Sequence, residues 1–354
     1  MDLELSEEQV MLRDAVRAMC ERYSSVEIVR SLEGGAKGFS DDLWTSLREM
    51  DLLGLLTDGW LPIEVAVVCE ELGRSLAPSP YIETAVFGAA LLGQSDEIVS
   101  LAWHEAERTD TEEGIATRYE NGTVTGEKIL VPFASSAARL LVLGRDGDEI
   151  VIASVKPDDA TLTFEGTLAS DARYRVRFDG APAEIVSRGW AAFVDAATPA
   201  LIAVAAYAVG GAQRSHESSV EYAKERIQFD KPIGAFQAIS HPLADMATEI
   251  AGARTLVHEA AWALSERRPS SRALAAMAKY CACDVFRRTT KLGHQVFGGI
   301  GFTLDIDMQL FLRRAKQLEV LWFGPRRLEE VIARAELDAP EPLVTPDAVA
   351  SGAN

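Results

Sequence analysis

The stretch that decides the fold runs Tyr222-Ala-Lys-Glu-Arg226-Ile-Gln-Phe229-Asp-Lys-Pro232-Ile-Gly234-Ala-Phe236-Gln237-Ala-Ile-Ser-His241. It contains, in order, a fixed cation, a stacking aromatic, a proline-glycine bend and a paired aromatic and amide: Arg226, Phe229, Pro232-Ile-Gly234 and Phe236-Gln237. A guanidinium stays charged and can donate two parallel hydrogen bonds to phosphate oxygens. The pattern therefore favours a site for a phosphate-rich cofactor.

A second motif, further along the chain, reads Gln295-Val-Phe-Gly298-Gly299-Ile-Gly301-Phe-Thr303. Glycines allow the backbone to approach a phosphate without a side-chain clash. Each motif also has a structural interpretation. A Gly-Gly pair after a helix is often only a C-terminal cap, and Arg226 could form a surface salt bridge within Lys224-Glu-Arg226.

The composition narrows the class of protein. A chain of 354 residues predicts two or three domains. It is 48% hydrophobic and 25% charged, as in soluble proteins, and no apolar run is expected to approach the ~18 residues that span a bilayer. The net charge of -19 opposes nucleic-acid binding. The acidic N-terminus lacks the features of a signal peptide, so we expect a cytoplasmic protein with no membrane or nucleic-acid partner.

The cysteines are scattered, at positions 20, 69, 281 and 283, which fits a reducing compartment better than a disulfide framework. Cys281-Ala-Cys283 could suggest metal or redox chemistry. Two thiols spaced in this way on a helix diverge, so we expect buried, inert side chains and no metal site.

Residues 1–97 read as helical. Ser6-Glu-Glu-Gln9 has the capping-box pattern that begins a helix. A second helix is expected over Asp41–Met50, and the apolar run Ile63–Leu72 predicts a buried one.

The spacing of apolar residues changes from helical to strand-like over residues 98–188, where short strands are expected. Asn121-Gly122 separates two strand-like segments and satisfies the left-handed positions of a tight hairpin turn. Further short strands at 139–143, 149–155 and 174–178 predict a small barrel.

Residues 189–338 return to helical periodicity. Met246, Ile250 and Val257 lie on one face of a helix and are expected in the core of a bundle. Residues 339–354 read as a disordered tail.

The two motifs and the order of the segments resemble the acyl-CoA dehydrogenase family over nearly the whole chain. The resemblance implies an α+β multi-domain fold with an N-terminal α-helical domain, a middle β-barrel and a C-terminal four-helix bundle. It also implies FAD bound across a subunit interface. Residues that would contact the ADP half of a neighbouring subunit's FAD are Arg226, Gln228, Phe229, Phe236, Gln237, Gln295, Val296, Gly298 and Gly299.

The resemblance fails at the catalytic base. The family uses a glutamate to remove the proton alpha to the thioester, at one of two places in the bundle. Trp322 and Ala200 occupy these positions, and neither side chain can abstract a proton. The nearest carboxylates in sequence, Asp195 and Glu319, are expected to be helix-end or surface charges.

The barrel segment also lacks residues that the family uses at its site. The motifs that contact the flavin ring in the family are replaced over Trp103–Asp110, and the covering tryptophan and bonding threonine have become Leu130 and Pro132. The flavin-ring pocket therefore looks dismantled, while the motifs that would serve a neighbour's FAD remain.

This asymmetry predicts a subunit that is active only with a homologous catalytic acyl-CoA dehydrogenase chain, as an α2β2 assembly. It resembles the two-subunit acyl-CoA dehydrogenases of actinobacterial steroid side-chain breakdown. The resemblance implies an acyl-CoA substrate, possibly a steroid thioester, and an electron acceptor such as an electron-transfer flavoprotein. Two alternatives stay open: a self-sufficient homo-oligomer with a relocated base such as Glu319, and a non-catalytic scaffold.

Overall fold

The computed structural model describes residues 4–106, 110–169 and 171–337, so the expected tail at 339–354 lies outside the described residues. The N-terminal helices are α1 Glu7–Tyr23, α2 Val26–Leu32, α3 Asp41–Glu49, α4 Pro62–Arg74 and α5 Ala89–Leu92. A π-helical segment, Ile82–Gly88, leads directly into α5. The capping box is confirmed, because the Gln9 backbone N–H donates to Ser6 Oγ at 3.3 Å and the Ser6 N–H donates to Gln9 Oε1 at 3.0 Å.

Within the described residues of the middle region, seven strands follow: β1 Val99–Ala102, β2 Arg118–Glu120, β3 Thr123–Pro132, β4 Arg139–Asp146, β5 Glu149–Val155, β6 Thr161–Glu165 and β7 Arg173–Arg188. Strand β4 pairs with β2, β2 with β3, β3 with β7, β7 with β5, and β5 again with β4. This ring of pairings closes the sheet and confirms the barrel. Asn121 and Gly122 have φ values of +50° and +80°, as the tight turn between β2 and β3 requires.

The chain returns to helix after the barrel. The elements are α6 Trp190–Glu225, the short hairpin β8 Ile227–Gln228 and β9 Lys231–Pro232, then α7 Gln237–Ser265, α8 Ser271–Phe297, α9 Met308–Val320 and α10 Pro325–Leu337. Helix α6 crosses α4 in backbone contact. A Cβ on Gly73 would lie 1.9 Å from the Tyr207 carbonyl oxygen, and one on Gly210 would lie 1.8 Å from that of Glu70. Both positions therefore need glycine.

Helix α6 corrects one expectation from the sequence. By length and composition it could cross a membrane, although no apolar run of that length was expected. Of the residues in its most apolar 18-residue segment, 83% are buried inside the protein. The apolar composition is explained by packing, since α4, α7 and α8 surround this helix.

One continuous hydrophobic core joins the N-terminal helices, the barrel and the bundle. A separate small cluster of Ala223, Leu243 and Val296 lies where α6, α7 and α8 meet near the β8–β9 hairpin. This second cluster supports the surface that carries both sequence motifs.

Candidate functional site

The structure brings the two sequence motifs together at one end of the bundle. The ring of Tyr222, near the end of α6, stacks on the ring of Phe297 at the end of α8, with centroids 4.4 Å apart. Arg226 follows Tyr222 by one helical turn, and Gly298 directly follows Phe297. The stacked pair therefore fixes the two motifs beside each other, which sequence alone could not establish.

The β8–β9 hairpin presents an aromatic side chain to solvent. Phe229 and Asp230 form its tip with φ values of +54° and +63°. The Phe229 side chain is 83% exposed and meets Phe236 only edge-on, at a centroid distance of 6.0 Å. Lys231 Nζ lies 4.3 Å from the centroid of the Phe236 ring. A left-handed φ is costly for a bulky residue, so this hairpin holds Phe229 outward at the expense of backbone strain.

Arg226 is exposed, and its guanidinium has no hydrogen bond or ion pair within the part of the chain that the structure describes. The alternative of a salt bridge within Lys224-Glu-Arg226 is therefore not realised. All five N–H donors of the guanidinium stay available to an external anion. The nearby glutamines, Gln228, Gln237 and Gln295, are exposed as well.

The glycine motif is open on its outer side. A Cβ built on Gly298 or Gly299 would meet no atom within 4 Å. Gly298 also has a φ of +64°, and its N–H donates to the His294 carbonyl, so it caps α8 as well. Val296 differs from its neighbours because it is only 4% exposed and packs with Ala223. A cofactor contact through its side chain is not supported; only its backbone could take part.

Large apolar side chains surround these motifs. Phe302 and Leu304 are each 75% exposed, Ile227 is 53% exposed and Ile300 is 44% exposed. An apolar surface of this kind is typical of a protein–protein contact. We call the surface formed by Ile227, Phe229, Ile300, Phe302 and Leu304 the apolar end.

The two positions that the resemblance assigns to the family's base are buried, and neither holds a carboxylate. Ala200 is fully buried in α6, and Trp322 is 7% exposed on the loop between α9 and α10. The Trp322 ring lies 5.4 Å from that of Phe87. Trp322 and the following Phe323 have φ values of +56° and +79°. This loop therefore holds two bulky residues in the left-handed region.

The space beside Trp322 is filled by aromatic side chains. A cavity of about 10 Å³ remains there, lined among others by Trp103, His104 and Leu130. The Trp103 ring lies 5.2 Å from Phe193 and 5.1 Å from Phe323, centroid to centroid. Such a cavity holds one water molecule at most, whereas sites for cofactors and small ligands occupy roughly 300–1,000 Å³. We call this cluster of Phe87, Trp103, Phe193, Trp322 and Phe323 the aromatic plug.

A buried amine fixes the loop that carries Trp322. Lys279 Nζ, on α8, donates hydrogen bonds to the carbonyl oxygens of Glu319 at 3.0 Å and Phe323 at 2.9 Å. On the other side of the loop, the Gly324 N–H donates to Asp110 Oδ2 at 3.0 Å. Burial lowers the pKa of the Lys279 amine. These hydrogen bonds hold the loop before and after Trp322 and keep it packed against the plug.

The carboxylates considered as substitute bases are already engaged. Glu319 Oε1 lies 3.1 Å from Arg287 Nε, and its other oxygen pairs with Lys316. Asp195 is an exposed surface group paired with Arg272. The structure therefore agrees with their interpretation as surface or helix-end charges, and Glu319 lacks the apolar surroundings that a general base needs.

One carboxylate near the plug was missed by sequence reasoning. Glu83, on the π-helical segment, is 6% exposed and lines the same small cavity as Trp322. Burial raises the pKa of Glu83, partly offset by the positive charge of Arg173. The sequence feature that could have pointed to Glu83 is its position as the one charged residue in the apolar run Tyr81-Ile-Glu-Thr-Ala-Val-Phe87. With about 10 Å³ beside it, Glu83 has no room for a substrate.

The two halves of FAD therefore fit this chain differently. The end that carries Arg226, Phe229 and the glycines is open and exposed and presents the Arg226 guanidinium, as a phosphate-bearing ADP group requires. The region beside Trp322 has no volume for an isoalloxazine ring.

Comparison with known proteins identifies the relatives of this chain. Residues 187–332 match the family model for the acyl-CoA dehydrogenase C-terminal domain. The chain is 31% identical to acyl-CoA dehydrogenase IpdE2 of Mycolicibacterium smegmatis, over 91% of this chain and 96% of that protein.

Two solved structures at 25% sequence identity share the fold. The ChsE4-ChsE5 complex from Mycobacterium tuberculosis superposes with a TM-score of 0.86, over 96% of this chain and 100% of the matched chain. The Tcur3481-Tcur3483 steroid ACAD superposes with a TM-score of 0.83, over 93% of this chain and 98% of that one.

Proposed function

This chain belongs to the acyl-CoA dehydrogenase family of FAD-dependent oxidoreductases, and we propose that within it the chain is the subunit without a catalytic base. It lends ADP-half contacts to an FAD whose ring lies in a homologous, catalytically intact partner. The observation that carries the proposal is a contrast within one molecule. The aromatic plug leaves about 10 Å³ beside Trp322, where we place the ring site of the family, while the cation and glycines that would serve a neighbour's cofactor are exposed.

Each predicted contact residue has a distinct role toward the cofactor. Arg226 binds the pyrophosphate through paired N–H donors. Gln228 and Phe229 flank it, and Phe236 with Gln237 continues along the cofactor. Gln295 and the backbone of Gly298 and Gly299 surround the adenosine end. When bound, FAD supplies the hydride acceptor for α,β-dehydrogenation of the thioester.

The partner is a homologous chain that covers the apolar end. Ile227, Phe229, Phe302 and Leu304 are each more than half exposed, and burying them against another subunit is favourable. One ring site per pair of unlike chains implies one FAD per pair, and we propose that two such pairs form an α2β2 assembly. The relation to a structure named as a two-component complex supports this arrangement.

The substrate is an acyl-CoA, and a steroid-bearing thioester is the specific class we propose. Its support is the similarity to a structure named as a steroid ACAD. The electrons pass on to an acceptor such as an electron-transfer flavoprotein, and the assembly is cytoplasmic.

The test is to produce the chain alone and together with a homologous acyl-CoA dehydrogenase chain that keeps the catalytic glutamate. We expect the isolated chain to be colourless and inactive, and the co-produced complex to hold one FAD per two chains. Flavin absorbance against protein concentration gives the ratio. One FAD per chain in the complex, or flavin-dependent turnover by the isolated chain, contradicts the proposal.

Arg226→Ala in the complex tests the phosphate contact directly. A hydrogen bond to a charged group contributes about 1.5–3 kcal/mol, which corresponds to a roughly 10- to 150-fold loss of FAD affinity. The matched control is Arg177→Ala, which removes an exposed arginine from β7 in the barrel. Equal FAD retention by the two variants would support the scaffold alternative instead.

A further inference from the structure

The β8–β9 hairpin places a second cation on the same face as Arg226. Gln228 pairs with Lys231 across the hairpin, and the Ile233 N–H donates to the Arg226 carbonyl oxygen at 2.8 Å. Residues opposite each other in an antiparallel ladder project to the same face, and side chains alternate between the two faces along each strand. Arg226, Gln228 and Lys231 therefore share one face of the hairpin. Pro232 belongs to the opposite face.

The two faces of the hairpin turn toward different parts of the bundle. On the face of Arg226, the side chain of Ile233 packs against the small cluster that contains Val296 of the second motif. On the other face, Pro232 lines a groove toward α7 together with Lys224. The exposed lysines at positions 224 and 231 therefore lie on opposite sides of the hairpin, and Lys231 is the one on the side of both sequence motifs.

Arg226 and Lys231 are diagonal neighbours on their shared face. Lys231 is two positions from Ile233, the residue opposite Arg226, and diagonal pairs in an antiparallel ladder lie about 7–8 Å apart. Two cations at this distance repel each other, so an anion between them is favourable. A diphosphate carries its negative charge on two phosphoryl groups, and each cation can bind one of them.

The Lys231 amine is available to an external anion. Within the described residues it has no hydrogen bond or ion pair. The carboxylates next to the two cations in sequence, Glu225 and Asp230, are exposed and form no ion pair with either. Lys231 Nζ lies 4.3 Å from the centroid of the Phe236 ring. This cation–π contact holds the amine in place and leaves its three N–H donors available.

We propose that Lys231 is a second phosphate-binding residue, which holds one phosphoryl group of the FAD diphosphate while Arg226 holds the other. The net charge of -19 opposes binding of a polyphosphate, so local cations must offset both charges of the diphosphate. Lys231 and Arg226 supply these cations from one face of the hairpin. This assignment rests on the proposed function, because it requires an FAD that reaches this surface from the partner subunit.

The test measures the FAD affinity of the complex with the partner chain, by quenching of flavin fluorescence when FAD is added to the flavin-free complex. Lys231→Met removes the charge and keeps a side chain that packs on Phe236, so it should weaken FAD binding about 10-fold at about 50 mM salt. The difference should shrink at about 1 M salt, where the charges are screened. Lys231→Arg keeps the charge and should bind FAD about as tightly as the unmodified complex.

Lys224→Met is the matched control, since it removes an exposed lysine from the other side of the same hairpin and should leave FAD affinity unchanged. Equal losses in Lys224→Met and Lys231→Met would overturn the assignment, because net charge alone would then explain them. Unchanged affinity in Lys231→Met, beside weakened binding in Arg226→Ala, would also overturn it and would leave the proposed function intact. Unchanged affinity in both of these variants would contradict the proposed function and this assignment together.

The remaining alternative is that the Lys231 amine pairs with a carboxylate of the partner subunit. Size-exclusion chromatography of the Lys231→Met complex at saturating FAD distinguishes the two. We expect the two chains to stay together, because the amine contacts the cofactor. Separation of the chains would overturn the assignment and would show that Lys231 holds the subunits to each other.

Discussion

Placing a carboxylate at position 322, where the resemblance puts the family's base, by Trp322→Glu should not create an enzyme. Trp322 is 7% exposed and packs in the aromatic plug, so the substitution removes most of a buried indole. Truncation of a buried tryptophan to alanine costs about 3–5 kcal/mol, and a glutamate recovers little because its carboxyl group is itself buried. The new group would share a cavity of about 10 Å³ with Glu83, whose pKa burial already raises. We expect the second carboxyl to be protonated at neutral pH for the same reason.

Two assays on the isolated chain check this expectation: thermal unfolding and reduction of an electron-accepting dye with an acyl-CoA. We expect a fall in unfolding free energy of about 3 kcal/mol or more and no turnover. Trp322→Phe is the control. It keeps an aromatic ring in the plug, so it should lower the free energy of unfolding clearly less than Trp322→Glu does. Turnover by Trp322→Glu alone, or unchanged stability, would refute the view that the ring site is filled.

Four further substitutions test other parts of the structure. At pH 8, Glu83→Gln should unfold at a higher temperature than the unmodified chain. The pKa of Glu83 is raised in the folded state, so the unmodified chain loses stability as pH rises through that folded-state value, whereas the neutral glutamine does not ionise. The advantage should vanish below the ordinary glutamate pKa, and an advantage that grows toward pH 4 would contradict the cause given. Lys279→Met leaves the carbonyl oxygens of Glu319 and Phe323 without their donor and should lower the free energy of unfolding in denaturant by about 2–5 kcal/mol. An unchanged free energy of unfolding would show that Lys279 does not hold the loop in place. Gly210→Ala forces a Cβ against the Glu70 carbonyl and should cost about 1–3 kcal/mol or more by thermal unfolding, while Gly252→Ala, where a Cβ meets nothing within 4 Å, should stabilise by up to about 1 kcal/mol.

Features set by neighbouring residues could be predicted from the sequence. The capping box at Ser6 and the Asn121-Gly122 turn depend on backbone groups within a few positions, and both are confirmed. The inability of the Trp322 side chain to act as a base could also be read directly, because it concerns the identity of one side chain.

Features that depend on packing between distant segments could not be predicted. Val296 belongs to the second motif, yet it faces inward because α6 and α7 close over that side of α8. The aromatic plug takes side chains from the N-terminal helices, the barrel, α6 and the loop after α9. Glu83 was missed for the same reason, since its burial is decided by residues far away in the chain.

The apolar end has a consequence for how the cell must make this protein. Side chains such as Phe229 and Phe302, at 83% and 75% exposure, are the kind that chaperones and proteases recognise on orphaned subunits. Copies synthesised in excess of a covering chain would be removed or would aggregate. In the assembly proposed above, balanced synthesis of the two chains would then limit the yield of the complex as strongly as the folding free energy of either chain.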